Sequence, residues 1–345
     1  MLTMRTAAQE LFIVQSLYAP HRSDDPGLER GKRMKAVVVE HLGESGSLEE
    51  IPGPRPAANE ILVRVVAAGV NPIDWKLRER AGQRFPFVLG QDFAGIVSAT
   101  GNRVTKYREG ERIFGTTDHG SYAEYTIVPE DDPSQPVSKI SDEVGDADAA
   151  ALPTAGITAL AALKVLQAEP AMTLLVLGAT GGVGMFAVQI ARERGLRVAG
   201  TARAANEEFA RSLGVESFIA YDRDDVVAAV KAAYPEGIDA VLDLVDDSDA
   251  IKKMAAVVRP GGRLVSTIYS ADVAWFAERM IDAKNIVAFE SPPASHADLR
   301  LLLELVEQQR MRVLIAKEYP LSEALDALEE SKRGAVTGKL VITVA

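Results

Sequence analysis

The 345-residue chain sets 38 Lys and Arg against 49 Asp and Glu, a net charge of −11, and contains no cysteine. At roughly 150 residues per domain the length predicts two domains, and 47% hydrophobic with 25% charged residues excludes a disordered or fibrous chain. The acidic balance disfavours nucleic acid and anionic membranes as partners, and the missing thiols remove disulfides, thiolate nucleophiles and thiolate metal sites.

His21, His41, His119 and His296 lack the spacing that chelates from one helix turn, so no metal site is expected. No apolar run approaches the ~18 residues of a membrane span. In residues 1–33 the apolar run Leu11–Val14 is too short for a signal-peptide core, and Asp24, Asp25 and Glu29 argue against a transit peptide. A cytoplasmic location is the resulting expectation. The leader is either a flexible extension, linker-like over Ala19–Arg33, or a short helix over 4–17 docked on the body or on a partner subunit.

Residues 34–153 read as β-rich. Met34–Val39, Ile61–Ala68, Asp92–Val97 and Tyr122–Val128 are short β-branched runs between Gly, Pro and Asn turns, the pattern of a barrel or sandwich. The texture changes over 154–290. After a helical stretch at Ala155–Gln167, strands at Thr173–Leu177, Arg197–Ala202, Ser217–Ala220, Ala240–Leu244, Arg263–Ile268 and Ile286–Phe289 alternate with helices. Those helices fall near Gly182–Arg194, Asn206–Leu213, Asp224–Tyr234, Asp249–Val258 and Ala274–Asp282. Alternating βα units of this length predict a doubly wound parallel sheet, and so an α/β protein. Residues 291–345 add helices at Ala297–Gln308 and Leu321–Lys332 and a closing strand at Lys339–Val344.

The strongest chemical signal is the first βα turn of that sheet. Leu174–Leu177 runs into Gly178-Ala179-Thr180-Gly181-Gly182-Val183-Gly184 and then into a helix. Such a turn aims backbone N–H groups and the positive helix end at a pyrophosphate, so Thr180, Gly181, Gly182 and Val183 are candidate dinucleotide contacts. A binder of NAD carries an acid at the end of the second strand. Here Val198–Ala202 ends in Arg203, whose guanidinium suits a 2′-phosphate. NADPH is the expected cofactor, with a solvated surface charge as the alternative role of Arg203.

These residues, with further motifs, resemble the zinc-free quinone oxidoreductase branch of the medium-chain dehydrogenase/reductase superfamily. The motifs are Asn71-Pro72-Ile73-Asp74, Leu89-Gly90-Gln91-Asp92-Phe93-Ala94-Gly95, Gly110-Glu111-Arg112-Ile113-Phe114-Gly115 and Gly120-Ser121-Tyr122-Ala123-Glu124-Tyr125. Leu152-Pro153-Thr154-Ala155-Gly156, Arg259-Pro260-Gly261-Gly262-Arg263 and Gly338-Lys339-Leu340-Val341 complete the set, from Met34 to the C-terminus. The resemblance implies a GroES-like β-barrel catalytic domain over 34–153, a Rossmann domain over 154–290, and a segment over 291–345 that returns to complete the catalytic domain. The active site would lie in the cleft between them.

Zinc-dependent relatives place ligands where this chain has Asn71, Gln91 and Thr154, and a proton relay where Ile73 stands. Amides and alcohols are poor Zn²⁺ ligands. The resemblance therefore implies hydride transfer to a quinone or other conjugated carbonyl, a small-molecule partner. It assigns Asn71 as a donor to substrate or cofactor and Asp74 as an orienting or loop-capping residue. Lys76, where better-known quinone reductases have Tyr, is either an oxyanion stabiliser or a solvated charge. Trp75 and Phe85 either line the pocket or pack on the barrel.

On the cofactor side the resemblance implies Thr158 near the nicotinamide phosphate-ribose, Tyr221 near the adenosine, and Val245 and Thr267 near the nicotinamide. Lys339 either contacts the cofactor or ends a helix. The lysine that relatives set against the 2′-phosphate falls at Ala204, leaving Arg203 alone. Helix N-capping accounts for most of Asp243, Asp246, Asp247 and Asp249, and His119 reads as a loop residue. The apolar run Ile286–Phe289 is the expected free sheet edge and, by the habit of relatives, the seam of a homodimer. An enoyl or 2-alkenal reductase and a non-catalytic NADPH-binding scaffold remain alternatives.

Overall fold

The computed structural model describes residues 33–80, 82–287, 294–334 and 336–344. The helix considered for 4–17, and Ala288 and Phe289 of the expected last strand, lie outside the described residues. The β-rich part carries β1 (Arg33–Val39), β2 (Ser47–Pro52), β3 (Glu60–Val70), β4 (Phe87–Val88), β5 (Asp92–Thr100), β6 (Arg112–Thr116), β7 (Tyr125–Pro129) and β8 (Val137–Lys139). The parallel part carries β9 (Thr173–Leu177), β10 (Arg197–Ala202), β11 (Ser217–Ala220), β12 (Ile238–Asp243), β13 (Val258–Ser266) and β14 (Asp282–Asn285). The chain ends with β15 (Ile315–Pro320) and β16 (Lys339–Thr343).

β3 organises the first unit. Its residues are buried on both faces, so it reads as a continuous apolar run rather than an alternating one. One edge pairs with β5 along its length. The other edge is shared: Glu60–Arg64 pair with β7, and Ala67–Val70 pair with β16. The C-terminal strand is thus hydrogen-bonded into the first sheet, 270 positions away in sequence by the Leu340 to Val70 pair (340 − 70). That return places Lys339, the first residue of β16, beside the end of β3.

The second sheet is fully parallel in the order β11-β10-β9-β12-β13-β14. Sequence order reverses between β9 and β12, and a ligand crevice opens beyond the carboxyl ends of strands at such a point. Phe186, Leu213 and Val215 pack on one face and Ile219, Val230, Ile251 and Phe276 on the other. The small-residue helix Pro153–Val165 joins the two units. Ala155, Ala159 and Leu163 share one core with Ala67, Ala94 and Phe114 of the first sheet and Leu174 and Val176 of the second.

The strands expected at β9, β10 and β11 have the same bounds in the structure. The last one does not. β14 spans Asp282–Asn285, four residues before the apolar run expected to form it, and ends the sheet as its edge. Only Ala283 is buried there; Asp282 and Lys284 face solvent 3.3 Å apart. The edge is therefore blunted by charge, in the manner of edge strands that avoid uncontrolled pairing. The helix expected at Ala274–Asp282 is shorter, Val273–Ala277, with Glu278 as its C-cap and Met280 at φ +58° before the strand begins at Asp282.

Candidate active site

The glycine turn closes as its spacing requires. Gly178 takes φ +89°, a left-handed conformation that costs glycine little. Its N–H donates to Thr201 Oγ1 at 3.0 Å and that of Ala179 to the Thr201 carbonyl at 2.9 Å, which ties the turn to β10. A Cβ on Gly184 would lie 2.1 Å from the Gly178 carbonyl, so the turn admits only glycine there. Helix Gly182–Glu193 begins at Gly181 with no side-chain cap, leaving its first N–H groups without a side-chain partner. The C-terminal segment clamps the same turn: Gly338 N–H donates to the Thr180 carbonyl at 2.9 Å, and Asn206 Nδ2 reaches Thr337 Oγ1 at 2.8 Å.

Arg203 follows β10 and Tyr221 follows β11. Arg203 Nε donates to the Tyr221 hydroxyl at 3.1 Å, and both side chains are exposed. Asp222 stands beside them with its carboxylate accepting from Ala204 N–H at 2.9 Å. Beyond β12 and β13, the loop carrying Val245 is held by buried Asp243, whose Oδ1 accepts from Val245 N–H at 3.1 Å and Asp246 N–H at 2.9 Å. Thr267 N–H donates to the Asp243 carbonyl at 3.1 Å. Of the acidic cluster, Asp247 caps the helix Ser248–Lys253, while Asp243 holds a loop rather than a helix. Asp246 caps nothing; burial, with Asp243 and Asp247 nearby, pushes its carboxyl up to about 6. The Thr158 hydroxyl donates within its own helix to the Thr154 carbonyl at 2.6 Å.

Between the units lies a buried polar cluster. Asn71 ends β3's run and caps helix Pro72–Leu77; its N–H donates to Asp74 Oδ2 at 2.8 Å. The Tyr122 hydroxyl donates to the same oxygen at 2.8 Å, and Asp74 Oδ1 has no partner among the described residues. The Asn71 Nδ2 group donates to Asp92 Oδ2 at 2.8 Å, and the Thr154 hydroxyl to Asp92 Oδ1 at 2.6 Å. Lys339 Nζ donates to the Val70 carbonyl at 2.8 Å and to Asn71 Oδ1.

Asp74 and Asp92 are fully buried, and Asn71 and Lys339 nearly so. Burial disfavours each charged form. It raises the Asp74 carboxyl to about 7, helped by the like charge of Asp92 and opposed by the hydrogen bonds from Asn71 and Tyr122. It also raises Asp92, against the pull of Lys339, and lowers Lys339, against the pull of Asp92 and Asp74. Tyr122 is driven well above its ordinary value by burial and by Asp74, which keeps it a donor.

The structure brings Asn71, Asp74 and Lys339 together and leaves Lys76 out. Lys76 is exposed, with Nζ 5.4 Å from the centre of the Trp75 ring, and stands outside the buried cluster. Lys339 begins a strand; it does not end a helix. Asp92 and Tyr122 are members that sequence reasoning missed. Asp92 had a signal, a carboxylate immediately before the apolar run Phe93–Val97. Tyr122, fully buried beside Leu89 and Phe93 in the barrel core, reads like any core aromatic until its hydroxyl is located.

The zinc-binding dehydrogenase family matches residues 213–342, and the alcohol dehydrogenase GroES-like domain family matches 57–140. A chloroplast envelope quinone oxidoreductase homolog of Arabidopsis thaliana is 30% identical over 332 residues, covering 90% of this chain and 99% of that protein. An NAD-dependent alcohol dehydrogenase of Saccharolobus solfataricus is 27% identical, over 90% of this chain and 99% of its own. The solved quinone oxidoreductase from Coxiella burnetii superposes with a TM-score of 0.82 at 30% identity, over 91% of this chain and all of its own. The chain belongs to the quinone oxidoreductase branch of the medium-chain dehydrogenase/reductase superfamily, an oxidoreductase family that binds nicotinamide cofactors.

Proposed function

We propose that the chain is a zinc-independent, NADPH-dependent reductase that transfers hydride to a quinone or another conjugated carbonyl. The observation that carries this reading is the cluster at Asn71, Asp92, Thr154 and Lys339. The Thr154 hydroxyl and one Asn71 N–H are committed to Asp92, and the Asn71 oxygen faces an ammonium. A dication placed there would meet the buried Lys339 ammonium and would find one carboxylate, Asp92, and neither imidazole nor thiolate. What remains for a substrate oxygen is a hydrogen-bond donor. Such a donor suits an acceptor whose developing negative charge sits on oxygen, as in conjugated carbonyl reduction.

The cofactor side fits a dinucleotide phosphate. The uncapped first turn at Gly182 and Val183 offers N–H groups to a pyrophosphate, beside Thr180 and Gly181, whose own N–H donates to the Gly178 carbonyl at 3.2 Å. Arg203, with Tyr221, would hold the 2′-phosphate, beside Asp222, whose carboxylate accepts from Ala204 N–H and attracts the same guanidinium. Val245 and Thr267 would flank the nicotinamide, and Thr158 the neighbouring ribose. When bound, the nicotinamide supplies the hydride. The chain's own residues hold it, exclude water and donate to the acceptor oxygen.

In this reading residues 34–153 and 291–345 form the catalytic unit and 154–290 the cofactor unit. The molecule is a cytoplasmic homodimer, and no helix among the described residues is long and apolar enough to cross a membrane. The test is a screen of NADPH consumption against quinones, 2-alkenals and enoyl thioesters. Turnover confined to quinones and simple conjugated carbonyls supports the reading. Preference for enoyl thioesters reassigns the substrate, and tight NADPH binding without turnover leaves a scaffold.

A further inference from the structure

Lys339 is the point where the cofactor turn and the buried cluster meet. Its side chain is nearly inaccessible, yet among the described residues its ammonium donates to two neutral oxygens rather than to a carboxylate. These are the oxygen of the Asn71 amide and the Val70 carbonyl, while Asp92 accepts from the nitrogen of that amide at 2.8 Å. The two ends of a carboxamide have nearly the same shape and differ only in hydrogen-bonding sense. With a cation at one end and an anion at the other, a reversed amide would set donor against donor and acceptor against acceptor. Only one orientation survives, and it commits the oxygen and one N–H while leaving the second N–H.

The aliphatic stem of Lys339 reaches that position by crossing the glycine turn. A Cβ on Gly182 would lie 3.1 Å from Lys339 Cδ, so the second of the paired glycines leaves room for the stem as well as for a ligand. The preceding Gly338 N–H is bonded to the Thr180 carbonyl at 2.9 Å, and Lys339 N–H to the Leu314 carbonyl at 2.9 Å. The stem is therefore held at both ends, by the turn and by the cluster.

We infer that Lys339 is a positioning residue for the reduction, one that locks the Asn71 amide so that it meets the acceptor oxygen only as a donor. Lys339 is then not a cofactor ligand, although it packs against the turn that holds the cofactor. The inference rests on the reading of Asn71 as the group that meets the acceptor. It assigns the ammonium an electrostatic task performed through another side chain.

The test compares the full-length protein with Lys339→Met, Lys339→Arg, Asn71→Ala and the Asn71→Ala, Lys339→Met pair. Reduction of para-benzoquinone gives kcat, and fluorescence titration gives the Kd for NADPH. Lys339→Met, which keeps the stem and removes the charge, should lower kcat by about 100-fold, the lower end of what losing one oxyanion donor costs. The NADPH Kd should stay within about threefold, and Lys339→Arg should recover much of kcat. In the Asn71→Ala background the Lys339 change should cost no further kcat, because there is no amide left to orient.

A merely structural lysine would lower kcat in both backgrounds alike, and a cofactor anchor would raise Kd with kcat intact; either result overturns the inference. Wild-type kcat in Asn71→Ala overturns the reading of Asn71 and the inference with it. Wild-type kcat in Lys339→Met, with Asn71→Ala impaired, overturns the inference alone. If Lys339→Met does not fold, Lys339→Gln, which removes the charge and keeps a polar head, replaces it in both backgrounds.

Discussion

Asp74→Asn should make the protein less sensitive to alkaline pH. The Asp74 carboxyl is raised from an ordinary 3.8 to about 7. A folded-state pKa above the unfolded value means that the folded chain keeps a proton which the unfolded chain releases. The associated stability is complete below the unfolded pKa and is lost as pH rises through the folded one. Between about pH 5 and about pH 8 a shift of this size removes about 3 kcal/mol of stability.

Asparagine mimics the protonated acid. Its oxygen can accept from Asn71 N–H and the Tyr122 hydroxyl as Oδ2 does now, and its NH₂ takes the place of the unpartnered Oδ1. That NH₂ is itself buried, at a cost of roughly 1–3 kcal/mol that does not change with pH. Urea unfolding of both proteins at the two pH values gives a double difference in which the titrating groups not coupled to Asp74 cancel. The wild type should lose about 3 kcal/mol more than Asp74→Asn on going to the higher pH. Equal losses would show that Asp74 is ionised throughout and that the account of the buried cluster is wrong.

Arg203→Ala should weaken NADPH by about 10- to 150-fold, the worth of one charge-assisted phosphate contact, with NADH little changed; titration of both cofactors checks this, and equal losses would detach Arg203 from the phosphate. Lys76→Ala should leave kcat within about twofold, as for an exposed charge away from special contacts. Protein purified without added metal should hold well under one equivalent of zinc by elemental analysis, and chelators should leave activity intact. Light scattering at micromolar concentration should give a homodimer; a monomer would mean that the charged edge at Asp282 and Lys284 protects β14 from pairing.

The sequence carried the parallel sheet well because each βα unit is local. The apolar run Leu174–Leu177, the glycines after it and the β-branched stretches at β10 and β11 specify their elements within a few residues. β14 was misread for a related reason: Ile286 and Val287 are more strand-like than Asp282-Ala283-Lys284-Asn285, but an edge strand needs only one apolar face. The buried cluster was only half legible. Asn71 and Asp74 sit in one short motif, whereas Asp92, Tyr122, Thr154 and Lys339 come from distant segments brought together when β16 joins β3. Nothing local distinguishes Lys339, which ends buried, from Lys76, which ends in solvent. Burial of an ammonium is decided by tertiary packing, since most lysines stay exposed.

Whether the site serves NADPH reduction of a conjugated carbonyl is tested most directly by steady-state oxidation of NADPH and of NADH by the unmodified chain, with and without para-benzoquinone. The account predicts acceptor-dependent oxidation with kcat/KM at least about tenfold higher for NADPH, as one phosphate contact implies. NADPH binding with no oxidation on adding quinone, or a preference for NADH, would contradict it.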